Sequence, residues 1–185
     1  MRKLIAVLLF FIAPLAAHAQ TWKLDTAHSS VGFSVRHMVV SKAKGTFRKF
    51  SGSATGDPAN PAAARVEITI DAASIDTGNA DRDNDLRSEN FFEVAKYPTI
   101  VFRSKRVARS GGGLTIVGDL TMHGVTKEVT LDVDRFTAAG NKVQTTATAK
   151  INRKDFGIIW NKALDGGGVA VADEVSVQIN AEFVR

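Results

Sequence analysis

The chain has 185 residues, a formal charge of +5, 44% hydrophobic residues and no cysteine. A chain of that length can bury one sizeable core without disulfide support. The absence of cysteine excludes disulfides, thiol nucleophiles, Cys-based zinc sites and covalent haem attachment, and a basic excess this mild and scattered gives no footprint for nucleic acid.

The first element is a leader. Arg2 and Lys3 precede an apolar run of about ten residues, half of what a helical bilayer span needs. Pro14 ends the run, and Ala17-His18-Ala19 has the small-x-small form of a cleavage site. Residues 1–19 are therefore expected to be a signal peptide and residues 20–185 one mature domain, with an uncleaved anchor as the alternative. Loss of Arg2 and Lys3 lowers the charge by two, from +5 to +3. No later stretch is long enough to span a bilayer as a helix, so no stable membrane span is expected.

Period-two alternation then dominates. "TWKLD" opens it. "SSVGFSVRH" puts Val31, Phe33, Val35 and His37 on one face. "KAKGTFRK", the densest basic cluster, reads as a solvated loop rather than a nucleic-acid surface. "KFSGSATG" follows, then "RVEITID", with Val66, Ile68 and Ile70 on one face. Residues 79–92 are charged around Leu86 and suit a short surface helix over a barrel end. "TIVFRSK" alternates Ile100 and Phe102; "LTIVGDLTM" alternates Leu114, Ile116, Gly118, Leu120 and Met122; "EVTLDVD" alternates Val129, Leu131 and Val133. "KVQTTATAKI" places Thr145, Ala147 and Ala149 on one face, a run of small residues that leaves room inside a barrel. Residues 152–167 carry Phe156, Ile158, Ile159 and Trp160, too apolar for an ordinary exposed loop, and are expected to cap a barrel end. "EVSVQINAEFV" turns Val175, Val177, Ile179, Ala181 and Phe183 inward and leaves Glu182 on the outer face, where truncation should be nearly neutral.

Gly-Asp-Pro at 56–58 and the glycine clusters at 111–113 and 166–168 separate the strands, as do His123-Gly124 and Gly140-Asn141. Clean alternation means antiparallel strands with one buried face. The expected fold is all-β: about eight or nine antiparallel strands, closed most simply as an up-and-down barrel, with a sandwich as the alternative.

Catalytic constellations are weak. There is no HExxH pair and no G-x-S-x-G elbow. Asp81, Asp83 and Asp85 imitate a calcium loop, but its glycine and glutamate positions fall on Leu86 and Phe92. His28, His37 and His123 have no metal-ligand spacing, so no metal and no cofactor are expected.

Four ordered blocks carry a resemblance: "DTAHSSVGFSVRHMVVSKAKGTF", "IDAASIDTGNADRDNDLRSENFFEVAKYPTIVFRS", "GDLTMHGVTKEVTLDV" and "INRKDFGI". Together they resemble the YceI-like family of bacterial proteins. The resemblance implies a lipocalin-like, eight-stranded barrel with a long apolar pore, exported to the periplasm and binding a polyisoprenoid or other long-chain lipid without catalysis. The implied pore residues are Val31, Phe33, Val35, Ile68, Ile70, Phe91, Phe92, Ile100, Phe102, Leu131, Val133, Phe156 and Trp160. His28, His37, Asn152 and Arg153 are expected to be pore-mouth or structural polar residues. A homodimer is compatible with this reading. A periplasmic stress or interaction protein with a merely structural core, or an enzyme with a His/Arg site at the barrel mouth, are the alternatives.

Overall fold

Alternating β-branched and aromatic residues become eleven antiparallel strands in one sheet of a computed structural model that describes residues 20–37, 41–111, 113–163 and 170–185. The strands are β1 (Thr21–Leu24), β2 (Ser30–His37), β3 (Ser41–Phe47), β4 (Phe50–Thr55), β5 (Arg65–Asp71), β6 (Ile75–Asp76), β7 (Thr99–Ser110), β8 (Gly113–Met122), β9 (Val125–Ala139), β10 (Lys142–Asn152) and β11 (Val171–Val184). The expected leader and the glycine cluster at 166–168 lie outside the described residues.

Eleven strands fill only eight positions in the wall. β1 and β2 lie along the same edge of β11, pairing Leu24 with Phe183 and Ser30 with Asn180, so they are one wall strand interrupted at 25–29. β4 pairs with β1 and β3 with β2, a second wall strand broken at Arg48 and Lys49. β5 and β6 pair with β4 and β3 and form the third. β7 to β11 complete an up-and-down meander, and β11 returns to β1 and β2. The barrel closes, so the wall hides its edges. Register shifts in β7 near Ser104 and in β9 at Asp134, opposite Thr146 and Ala147, supply the extra bend that closure needs.

The expected loop at 42–49 is a correction: residues up to Phe47 form β3. Exposed Lys42 and Lys44 alternate with half-buried Ala43 and Gly45 and buried Phe47. The inward members are small, so the apolar half of the alternation gives little signal.

Tight turns join the later strands. His123 and Gly124, with φ of 51° and 73°, make the two-residue turn between β8 and β9, whose twist suits a hairpin. One α-helix is described, α1 (Ala80–Arg87), shorter than the expected 79–92. Asn79 caps it through Arg82 N at 2.9 Å, and buried Asp83 accepts from Thr77 N and Oγ1 at 2.9 and 2.6 Å. With only Leu86 as an apolar contact, the helix is held to the barrel by these bonds and by Arg87, which donates to the carbonyls of Ala73 and Ile75 at 2.7 Å each. A 3₁₀ turn at Arg153–Phe156, ended by Gly157 at φ 78°, begins the second cover.

Candidate functional site

The barrel interior is not filled. Ile68, Ile70, Ile116, Leu120, Leu131, Val175, Val177 and Ile179 all point inward yet stay half-buried, because part of each side chain faces a cavity of about 230 Å³. Thr145, Ala147 and Ala149 of β10 leave the space on one side, and Phe33, Phe102 and Leu120 border it elsewhere. The lining is almost wholly apolar. Its few polar side chains are engaged elsewhere. The Ser29 hydroxyl donates to the Asp25 carbonyl at 2.6 Å and accepts from Glu182 N at 3.0 Å, and Asn180 Nδ2 donates to Ser30 Oγ at 3.0 Å. A smaller chamber of about 80 Å³, between Trp22, Val133 and Phe136, shares Val66, Ile116, Thr145 and Phe183 with the first.

Of the residues implied to line a pore, Val31, Phe33, Val35, Ile68, Ile70, Phe91, Phe92, Ile100, Phe102 and Leu131 border the main cavity. Val133 borders the smaller chamber. Phe156 and Trp160 border neither chamber but belong to the cover over one end. Phe156 is 2% exposed within the core, and Trp160 packs on Phe91 with ring centroids 5.2 Å apart. Both covers therefore close the same end. Phe91 is buried against Trp160, while Phe92 meets Phe47 edge-on at 6.0 Å, so the adjacent phenylalanines divide between two partners and both rings reach the cavity.

Arg153 is structural in its contacts. Its side chain is 5% exposed, and burial pulls its pKa below the usual arginine value against the opposing pull of Asp173. The guanidinium donates to the carbonyls of Ala172, Ile158, Trp160 and Val171 and to Asp173. Five donors meet five acceptors, which ties the 158–160 segment to the start of β11. Asn152 accepts from Lys154 N at 3.0 Å and caps the 3₁₀ turn. His123 joins the two covers: its Nδ1 lies 3.1 Å from the Phe156 carbonyl and its ring 4.7 Å from that of Tyr97. A carbonyl only accepts, so Nδ1 carries the proton, and Nε2 faces Glu93 at 3.6 Å without a hydrogen bond.

His28 sits in the break between β1 and β2, exposed, with Nδ1 2.8 Å from Asp25 Oδ2. That bond is the main reason the Asp25 carboxyl titrates below its usual range. The His37 side chain lies outside the described residues. Glu182 is a second correction. It does point outward, but it is 4% exposed, not a solvated surface residue. Lys142 Nζ donates to it at 2.6 Å and Gln144 Nε2 at 2.7 Å, and these two bonds, in that order, hold its carboxyl below the usual range. Asp25, His28 and Glu182 bring ligand atoms within 4.8 Å of one another. Their carboxylates already accept from Lys142 and Gln144 of β10 and from Ala27 N within the turn, while Glu182 N donates to Ser29 Oγ and Asp25 N to the Glu182 carbonyl, so the cluster reads as a clasp of the 25–29 turn and β10 around β11. Parity reasoning missed it because burial of Glu182 depends on a turn more than 150 residues away in sequence.

A closed barrel around an apolar cavity now has a family to be compared with, and the YceI-like domain matches residues 22–183. The chain belongs to the YceI-like family. A UPF0312 protein of Vibrio cholerae is 39% identical over 153 residues, 78% of this chain and 81% of that one. A UPF0312 protein of Staphylococcus aureus is 39% identical over 165 residues, 86% and 94% of the two chains. Among solved structures, BcnA of Burkholderia cenocepacia superposes with a TM-score of 0.77 at 29% identity, covering 86% of this chain and 98% of its own. A polyisoprenoid binding domain from Saccharophagus degradans shares the fold, with a TM-score of 0.66 at 17% identity over 88% of this chain and 97% of that one. The YceI-like barrel thus positions, in this chain, a cavity that offers almost wholly apolar contacts.

Proposed function

We propose that the protein is an exported, non-catalytic carrier that holds a polyisoprenoid or similar long-chain lipid inside its barrel. The observation that carries this is the cavity of about 230 Å³ lined almost wholly by apolar side chains. Family membership supports it, as does the polyisoprenoid binding of the Saccharophagus degradans domain with the same fold. An apolar cavity of roughly 150 Å³ takes up benzene, so this chamber has room for about nine carbons. A longer chain runs on past Phe183 and Thr145 towards the second chamber. Ten buried methylenes give roughly 8 kcal/mol gross, before immobilisation is subtracted, so useful affinity needs no charged anchor. The leader expected at residues 1–19 directs the chain to the periplasm, where a lipid moving between membranes must be shielded from water.

The test is extraction. Protein purified from the periplasmic fraction is extracted with organic solvent and the extract analysed by mass spectrometry. A stoichiometric prenyl or long-chain lipid supports the carrier. An empty barrel that also fails to bind farnesol after purification overturns it in favour of an interaction protein, and conversion of an added lipid to a product overturns the non-catalytic part.

A further inference from the structure

Several glycines lie in the barrel wall at ordinary backbone angles, so their conformation does not require glycine. What a Cβ would meet differs among them. At Gly118 it would come within 2.4 Å of the Arg103 carbonyl, and at Gly52 within 2.6 Å of the Glu67 carbonyl, so close backbones exclude a side chain there. At Gly45 the near atoms are all side chain: the Phe33 ring at 2.5 and 2.8 Å and Thr77 Cγ2 at 2.8 Å. Phe33 and Gly45 are directly paired across β2 and β3 on the inner face. The Phe33 ring therefore lies back against the wall in the space that a Cβ at 45 would fill.

The surroundings fix where that ring goes if the space is taken. Phe47 stands 5.8 Å away, itself packed against Phe92, and Thr77 Cγ2 crowds the same space beside Gly45. Phe33 already borders the cavity, so the lumen offers a displaced ring room. We propose that Gly45 is a specificity-determining residue: by seating the Phe33 ring against the wall it sets the bore of the cavity and admits chains with methyl branches. This rests on the carrier reading. A straight chain has the smaller cross-section and is the less sensitive to the bore.

The experiment compares farnesol, a twelve-carbon chain with three methyl branches, with 1-dodecanol, the same main chain without them. Binding to delipidated mature protein is measured by titration calorimetry for wild type, Gly45→Ala and the double variant Phe33→Leu/Gly45→Ala. The expected result is farnesol affinity lowered about five-fold or more by Gly45→Ala, 1-dodecanol changed by less than about two-fold, and farnesol restored to within about two-fold in the double variant. Wild type that binds neither alcohol overturns the carrier reading. Wild type that binds farnesol, with Gly45→Ala binding it equally, or with a loss that Phe33→Leu does not rescue or that 1-dodecanol shares, overturns the role of Gly45 alone. If Gly45→Ala does not fold, Phe33→Trp, which enlarges the ring on the same seat, is read instead; the same selective loss is expected, and equal farnesol binding overturns the proposal.

Discussion

The two ends of the barrel are closed by different means. At one end two non-strand covers, around Phe91 and Phe92 and around Ile158 and Trp160, lie over the opening. They have little regular structure, and buried polar side chains fix them: Arg153 on four carbonyls and Asp83 on Thr77. At the other end the strands themselves converge on Trp22, Leu24, Val143 and Phe183, while in the clasp outside, the Glu182 carboxylate holds Lys142 of β10 and its backbone N holds Ser29 of the turn after β1. Loops need specific polar partners because their own backbone groups are unpaired; strands carry their pairing with them and need packing.

If that contrast is right, the largest loss comes from Arg153→Met, which keeps volume but removes all five guanidinium bonds, leaving Asp173 only Lys154 and the Val171 carbonyl only Asn161 as side-chain donors. Equilibrium urea unfolding should show a loss of about 4 kcal/mol; a loss below about 1 kcal/mol would mean that packing alone holds this cover. Phe91→Ala should follow, at about 3 kcal/mol by the same measurement, because the ring fills the junction between both covers. Its cavity should also grow, and take up bulkier apolar dyes than wild type.

At the other end the test is pH. The Glu182 carboxyl titrates below its ordinary value near 4.5, so the stability it supplies is complete above that pH and is lost as pH falls through the lowered value. The Tm of wild type should therefore decline below pH 4.5 more steeply than that of Glu182→Gln, with Asp25 contributing equally to both. Parallel curves would remove the clasp from the comparison. The smallest effect belongs to Phe136→Ser at the rim of the second chamber: Phe136 is 37% exposed, and its loss should change stability by no more than about 0.5 kcal/mol. A larger change would show that this end, too, depends on a cover.

The inner faces were legible in the sequence wherever large apolar residues alternate, as in β5, β8, β9 and β11, since period two leaves no other assignment. β3 was not, because its inward residues include Ala43 and Gly45 and its outward ones are lysines, the pattern of a loop. The cavity was half legible: Thr145, Ala147 and Ala149 marked a thin stretch of wall, but whether facing strands fill such a gap depends on register. The apparent excess of strands has a similar origin. Asp25, Arg48 and the 3₁₀ turn at Ala72–Ser74 break three wall strands without changing their place in the barrel. The burial of Glu182 was invisible, because it is made by a turn at the other end of the chain.

The pairing of β1 and β2 with β11 also sets the order in which the chain can fold. Ser30 meets Asn180, and Ser29 meets Glu182, across 150 and 153 residues. Until the fourteen residues of β11 are synthesised, the first wall strand has one edge without a partner and the ring stays open. Contacts of such long sequence separation form slowly, since the loop entropy is lost before they can reward it. A growing chain can gather its local hairpins early, but its wall closes only when β11 arrives.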